Sequence, residues 1–318
     1  MKIFLDAPAK RIALRRLLPY FEQLGHEIVR KPKGCDVQLS IIRISKKTKL
    51  PTVLRLNGVY YDSRIDYNKK NKEIGVSHAT ADGIIYQSET SKKMCKKYLL
   101  PSKAKVIKVV HNGCLRDWVG DPIKHKGINI VTAAKWRRPK RFIEIVNVFT
   151  HFLVYYPKAK LHVLGSFNQK RGGGKIRHKS ILYYGMVKPK KMREIYRKCD
   201  VFIHLCKKDS CPNTVVEAIA AGIPVVTTNA CGGATEMCKL TEGCIICDGD
   251  SLTFDPEPIY TDVPHEISKD LKDELVKAIV RIVKEKRRVV LPEQLALDYV
   301  ASQYLDVMEQ TIKALKKK

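Results

Sequence analysis

The chain has 318 residues, enough for two domains of ordinary size. An apolar fraction of 44% supports packed cores and excludes a disordered chain. Lysine and arginine total 60 against 32 acidic residues, a formal charge of +28, and no apolar run reaches the roughly 18–20 residues that a membrane span needs.

Apolar runs alternate with helical patterns from end to end, which predicts an α/β fold of parallel sheets joined by crossover helices. Strands are predicted at 2–5, 27–29, 37–41, 52–56, 83–86 and 106–110. The apolar part of the first is too short for a signal-peptide core. One helix is expected between the first two strands, with Ile12, Leu17, Leu18 and Phe21 on one face and Gly25 closing it. The segment 115–127, with Gly120, Pro122 and Gly127, reads as a linker. A second series of strands follows at 128–133, 161–164, 181–184, 201–205, 223–227 and 244–246. Two doubly wound sheets in tandem are therefore expected, over 1–120 and 121–292. A last helix is predicted over 293–315, with Leu295, Ala296, Tyr299, Val300, Tyr304 and Val307 at helical spacing. Gly172, Gly173 and Gly174 lack a following Lys-Ser/Thr pair and read as a mobile surface loop rather than a phosphate cradle.

The chemistry concentrates in the second series. In the stretch 209–226, Asp209 and Glu217 have seven residues between them. A short helix starts after Pro212, buries Val215, Val216 and Ile219, and stops at Gly222. Its first N–H groups, at Asn213 and Thr214, make a natural phosphate site. Taken alone, the stretch also reads as an ordinary capped helix with a surface carboxylate. The second constellation follows the strand at 128–133: Lys135, Arg137, Arg138, Lys140 and Arg141, at the start of a helix that buries Phe142, Ile145, Val146, Phe149 and Leu153. Cations at the carboxyl edge of an open sheet can neutralise a departing diphosphate without a metal. As mere solvated surface they would oppose the helix dipole.

The first stretch resembles the Glu-x7-Glu signature of retaining glycosyltransferases of family 4, with Asp209 for the first Glu. The second resembles that family's Gly-Arg-x4-Lys-Gly motif, with Lys135 at the Arg, Lys140 at the Lys, and Ala134 and Arg141 for the glycines. The segments 161–165, 184–187 and 231–236 fall in the family's order. The resemblance implies the GT-B fold: two Rossmann-like doubly wound domains facing a cleft, with a C-terminal helix over 293–318 packing back across it. By that resemblance Glu217 holds ribose hydroxyls and Asp209 the hydroxyls of the transferred sugar. Lys140 and Lys135 stabilise the diphosphate, with Asn213 and Thr214 at the helix start. Gly165 and Val187 line the nucleotide site, and the glycines at 232 and 233 admit the ligand to the backbone. On the acceptor side, Asn57 occupies a slot where relatives place His or Asp. Asn112 and the Gln87–Ser88 pair match strand-end elements for which a turn-forming role stands beside ligand contact.

The implied activity is metal-independent, retaining transfer from a UDP- or GDP-sugar to a glycan or lipid-linked acceptor, with no cofactor. The rival readings are a non-catalytic GT-B-like protein and a basic nucleic-acid binder. The lysines are spread along the chain, in small clusters such as Lys69 and Lys70, Lys92 and Lys93, and 316–318, without zinc-finger or RNP-type sequences. Solvated surface is thus the favoured use of the charge, with peripheral contact to an anionic membrane next and nucleic acid last. Ten scattered cysteines favour reduced thiols and a cytoplasmic location. Cys231, Cys238, Cys244 and Cys247 read as core thiols rather than zinc ligands, because the last two fall on opposite faces of a strand. Histidines 26, 78, 111, 162, 178 and 204 form no helical metal pair and read as ordinary buried or surface side chains.

Overall fold

The computed structural model describes residues 1–6, 12–171, 173–258 and 267–316, without the side chains of Ile12 and Ala13. Gly172, Lys317 and Lys318 lie outside the described residues, as does the contribution of Ile12 to a helical face. The chain divides into two compact units: Met1–Gly113 with Phe254–Glu257 and Glu293–Lys318, and Cys114–Thr253 with Pro258–Pro292.

In unit 1 the elements are β1 (Lys2–Asp6), α1 (Ile12–Arg15), α2 (Leu18–Gln23), β2 (Glu27–Val29), β3 (Val37–Ile41), β4 (Thr52–Leu56), α3 (Tyr67–Thr80), β5 (Gly83–Tyr86), α4 (Glu89–Tyr98) and β6 (Val106–Val109). The strands pair in parallel in the order β2-β1-β3-β4-β5-β6. The single helix expected after β1 is two, because Pro19 in the first turn of α2 has no N–H to continue α1. Gly25, at φ +78°, then closes α2. Strands β3, β4 and β5 are buried along their whole length, as a parallel strand covered on both faces must be. Ser88 accepts the N–H of Ser91 and caps α4, which assigns it the structural role.

Unit 2 contains β7 (Asn129–Ala133), α5 (Phe142–Phe152), β8 (Lys160–Leu164), β9 (Ile181–Gly185), α6 (Pro189–Arg197), β10 (Val201–Ile203), α7 (Asn213–Ala220), β11 (Val225–Thr228), α8 (Gly233–Lys239), β12 (Ile245–Cys247) and α9 (Lys269–Lys284). Its parallel sheet runs β12-β11-β10-β7-β8-β9. The chain winds outward from β7 to β9, returns to the other side of β7, and winds outward again from β10. Strands β7 and β10 are therefore neighbours whose connections leave in opposite directions, a topological switch point. Phe149 and Phe152 on α5 and Leu275 and Ile279 on α9 are fully buried in one core with Trp136 and Val201. Burial of each such side chain contributes about 1.5–3 kcal/mol.

The segment expected as a linker packs on unit 2. Trp118 is buried with its ring 6.0 Å from that of Tyr196, and Ile123 donates its N–H to Arg197 at 2.8 Å. An indole buried this way holds the chain down despite the flanking Gly and Pro. Last comes α10 (Leu297–Lys316), after a short turn at Glu293–Leu295, and it packs on β4, β5 and β6 of unit 1. Val300, Tyr304 and Val307 form its buried stripe, whereas Tyr299 is 36% exposed.

Candidate functional site

Two loops leave the carboxyl ends of β7 and β10, on either side of the switch point, and an ion pair joins them. Lys140 Nζ donates to Asp209 Oδ2 at 2.5 Å, with both side chains 16% exposed. Burial works against both charges. The facing carboxylate outweighs it and raises the Lys140 pKa above the ordinary lysine value, while Lys140 and then His204 hold Asp209 below the usual carboxylate range. Both groups are ionised at neutral pH.

Each partner is followed or preceded by a residue in a conformation that L side chains rarely adopt. Arg141 has φ +53° and Lys208 φ +52°. Such a backbone costs about 1–2 kcal/mol where a glycine would pay nothing. Arg141 stands where the family motif has glycine, and its compensation is visible: the guanidinium is buried, bonded to Asp250, and 3.8 Å from Glu144. Lys208 is fixed through its own N–H, which donates to the Ala230 carbonyl at 2.9 Å. Strain on both sides of one ion pair marks a geometry imposed by the surrounding structure.

His204 and Cys206 complete the cluster. His204 is 5% exposed, its Nε2 lies 3.7 Å from Asp209 Oδ2, and that nitrogen has no hydrogen-bond partner among the described residues. Burial, reinforced by Lys140 and opposed by Asp209, lowers its pKa to about 4, so the ring is neutral. Burial likewise pushes the Cys206 thiol up to about 12. One ligand atom each from His204, Cys206 and Asp209 lies within 4.8 Å of the others, but the ammonium of Lys140 is bonded to Asp209 there. Among the described residues the four cysteines at 231–247 form no such group. Neither His204 nor Cys206 was expected at the site. The available signal was their position just past a buried strand and shortly before Asp209.

Helix α7 starts beyond Asp209. Asn213 and Thr214 are half-buried in its first turn, and Glu217, one turn further, is 4% exposed. Its end is a Schellman motif: Ile223 donates to Ala218 at 3.0 Å, Gly222 donates to Ile219 at 2.9 Å, and Gly222 has φ +78°.

The glycines of the site serve the chain itself. A Cβ on Gly165 would stand 1.8 Å from the Ala134 carbonyl oxygen, so Gly165 lets the end of β8 pass beneath the basic turn. A Cβ on Gly233 would stand 2.0 Å from the Ser210 carbonyl, and the Gly233 N–H donates to the Asp209 carbonyl at 2.8 Å. Gly233 thus packs directly against the Asp209 loop. Gly173, expected in a mobile surface loop, is buried with its N–H on the Asn168 carbonyl and no room for a Cβ against the Trp136 carbonyl. Trp136 anchors the same turn, fully buried, with its indole N–H on the Leu164 carbonyl at 2.9 Å. Lys135 is exposed on that turn, and Val187 lies half-buried beyond the edge strand β9.

In unit 1, Asn57 follows β4 and Asn112 follows β6, and a residue between them in neither sequence nor expectation joins the two. Arg55, 3% exposed, donates from Nη1 to Asn57 Oδ1, from Nη2 to Asn112 Oδ1 at 2.9 Å, and from Nε to the Tyr304 hydroxyl at 2.9 Å. Gln87 also donates to Asn112 Oδ1, at 2.6 Å.

Residues 127–255 match the family model for Glycosyl transferases group 1. This segment is a group 1 glycosyl transferase domain. It holds the switch point, the Lys140–Asp209 pair, and Glu217. No curated protein matches the sequence. Among solved structures, a sucrose-phosphate synthase from Thermosynechococcus elongatus is 11% identical with a TM-score of 0.67, over 100% of this chain and 98% of that one. A glycosyltransferase from Rickettsia africae is 14% identical with a TM-score of 0.62, over 98% of each chain. Anabaena HepE in complex with UDP-glucose is 14% identical with a TM-score of 0.59, over 100% of this chain and 99% of that one. At these identities the likeness is one of fold, and the fold is GT-B. No helix among the described residues is long and apolar enough to cross a membrane.

Proposed function

We propose that the protein is a retaining, metal-independent glycosyltransferase whose group 1 glycosyl transferase domain binds a UDP- or GDP-sugar. The observation that carries this reading is Lys140, held as an ammonium by Asp209 at the switch point of unit 2. Open α/β sheets bind their ligands at that point, and a fixed cation there stabilises charge on a departing diphosphate. HepE, of like fold, is complexed with UDP-glucose.

In this reading Glu217 accepts hydrogen bonds from the ribose hydroxyls, and Val187 and Gly165 border the nucleotide. The first turn of α7, at Asn213 and Thr214, faces a phosphate with its N–H groups. Asp209 has two tasks: it keeps Lys140 charged and in place, and it accepts a hydroxyl of the transferred sugar. The bond from the sugar's anomeric carbon to the β-phosphate oxygen breaks while the acceptor oxygen bonds to that carbon on the same face. The acceptor's proton passes to the departing diphosphate. Lys140 carries the growing negative charge, assisted by Lys135, and so takes the place a divalent cation has in other transferases. Unit 1 is the acceptor side, where Asn57 and Asn112 orient a hydroxyl of a glycan or lipid-linked acceptor. The basic surface is solvated or rests against an anionic membrane, in the cytoplasm.

The test is binding followed by turnover. Thermal shifts against UDP, GDP and their sugars are expected to select one nucleotide, and the corresponding sugar is expected to be turned over. Binding of generic DNA or RNA that salt abolishes and nucleotide-sugars do not compete would instead make the protein a basic nucleic-acid binder.

A further inference from the structure

Arg55 sits in β4, in the interior of the unit 1 sheet, with Leu54 and Leu56 on either side and 3% of its surface exposed. A guanidinium keeps its charge, and buried charges are ordinarily paired with an opposite one. Arg55 has none. Its acceptors are the Tyr304 hydroxyl and the side-chain amide oxygens of Asn57 and Asn112, all neutral, and among the described residues it makes no ion pair. These three bonds use three of its five N–H groups.

The placement is directional. The Nε bond to Tyr304 is buried, whereas the two Nη bonds run to half-buried asparagines beyond the carboxyl ends of β4 and β6. The charged end thus points to the edge where open parallel sheets take ligands. Packing fixes it there: Tyr304 lies 1% exposed on α10, its ring 6.4 Å from that of Phe21, and Gln87 holds the Asn112 amide from the other side. A cation prevented from reaching water, oriented by neutral groups and left with spare donors, is what planar recognition of an oxyanion requires.

We propose that Arg55, with Asn57 and Asn112, binds an oxyanion carried by the acceptor, a carboxylate or a phosphate, so that the enzyme selects anionic acceptors. The proposal takes unit 1 as the acceptor side, as above. The missing counter-ion is supplied by the substrate.

Calorimetric titration of the full chain with glucose, glucuronate and glucose 6-phosphate isolates the effect, since the three share a hexose frame and differ at C6. At least one anionic sugar is expected to bind tenfold or more tightly than glucose, and whichever does so names the carboxylate or the phosphate as the source. Asn57→Asp places a carboxylate on Arg55 and is expected to bring that preference within twofold while leaving UDP affinity unchanged. Arg55→Gln should do the same, and Asn57→Asp remains informative if that variant fails to fold. Lys140→Ala should keep the preference. Equal binding of all three sugars by the wild type, a preference that survives Asn57→Asp, or one lost in Lys140→Ala would each overturn the proposal. UDP binding is read separately, so failure of the donor reading cannot be mistaken for failure of this one.

Discussion

Each unit of this protein buries a cation near the carboxyl edge of a parallel sheet, and the two are neutralised differently. Lys140 in unit 2 lies against Asp209 and is stabilised in its charged form. Arg55 in unit 1 lies against two amides and a phenol. An internal counter-ion makes a cation self-sufficient and ready before a ligand arrives. A cation with only neutral neighbours is held in position but not compensated, and a ligand's charge completes it. Similar sheets can therefore carry a charge for catalysis or a charge for recognition, according to whether the next loop supplies an acid.

The largest effect expected is on turnover. If Lys140 meets growing charge on the leaving group as proposed, Lys140→Ala should lower kcat about 100- to 1000-fold, with a smaller effect on donor affinity. A raised KM with unchanged kcat would place Lys140 with Arg55 as a binding cation only. Next is Glu217→Gln, which keeps the size of a buried side chain and removes its charge. Donor affinity, measured by calorimetry, should fall about tenfold, the difference between the roughly 1.5–3 kcal/mol of a hydrogen bond to a charged group and the roughly 0.5–1.5 kcal/mol of a neutral one. A change under twofold would remove Glu217 from the site.

A gentler probe is acid. Burial pushes both His162 and His204 in unit 2 down to about 4. Between pH 6.5 and 4 the unfolded chain binds a proton at each while the folded chain does not, so stability should fall as pH falls through that window. The slope is at most about 1.4 kcal/mol per pH unit for each histidine. Urea unfolding of His162→Phe across the window should show one proton fewer, and an unchanged slope would mean that this ring is protonated in the folded state. Smallest of all is the effect of chelation. With Lys140 as counter-charge, EDTA-treated protein should keep most of its turnover, and activity that only added magnesium or manganese restores would refute the metal-free reading.

Much of unit 2 was legible because its signals are local. The helix at Asn213–Ala220, the stop at Gly222 and the buried face of α5 follow from spacings of one to four residues, which helical geometry translates directly into a face. Pro19 was equally visible, yet the helix around it was expected whole, because apolar periodicity continues through a break that only the backbone's missing donor reveals. The site was legible as two motifs but not as one object. Lys140 and Asp209 are 69 positions apart, and nothing in either motif specifies the distance between them.

Sequence alone determined that the chain alternates strand and helix, where the twelve strands of the described residues fall within a few positions, and which loops carry acid and base. It did so because burial on both faces leaves apolar β-branched runs, and turns leave glycine and proline, wherever they occur in a chain. Tertiary structure alone decided the strand order that makes β7 and β10 neighbours, the neutral company of Arg55, and the burial of His204 beside Asp209. It also decided that Gly165 and Gly233 make room for the protein's own carbonyls. Each of these is a contact between segments distant in sequence, and whether a buried charge meets a carboxylate or an amide depends on which strand ends the sheet brings side by side.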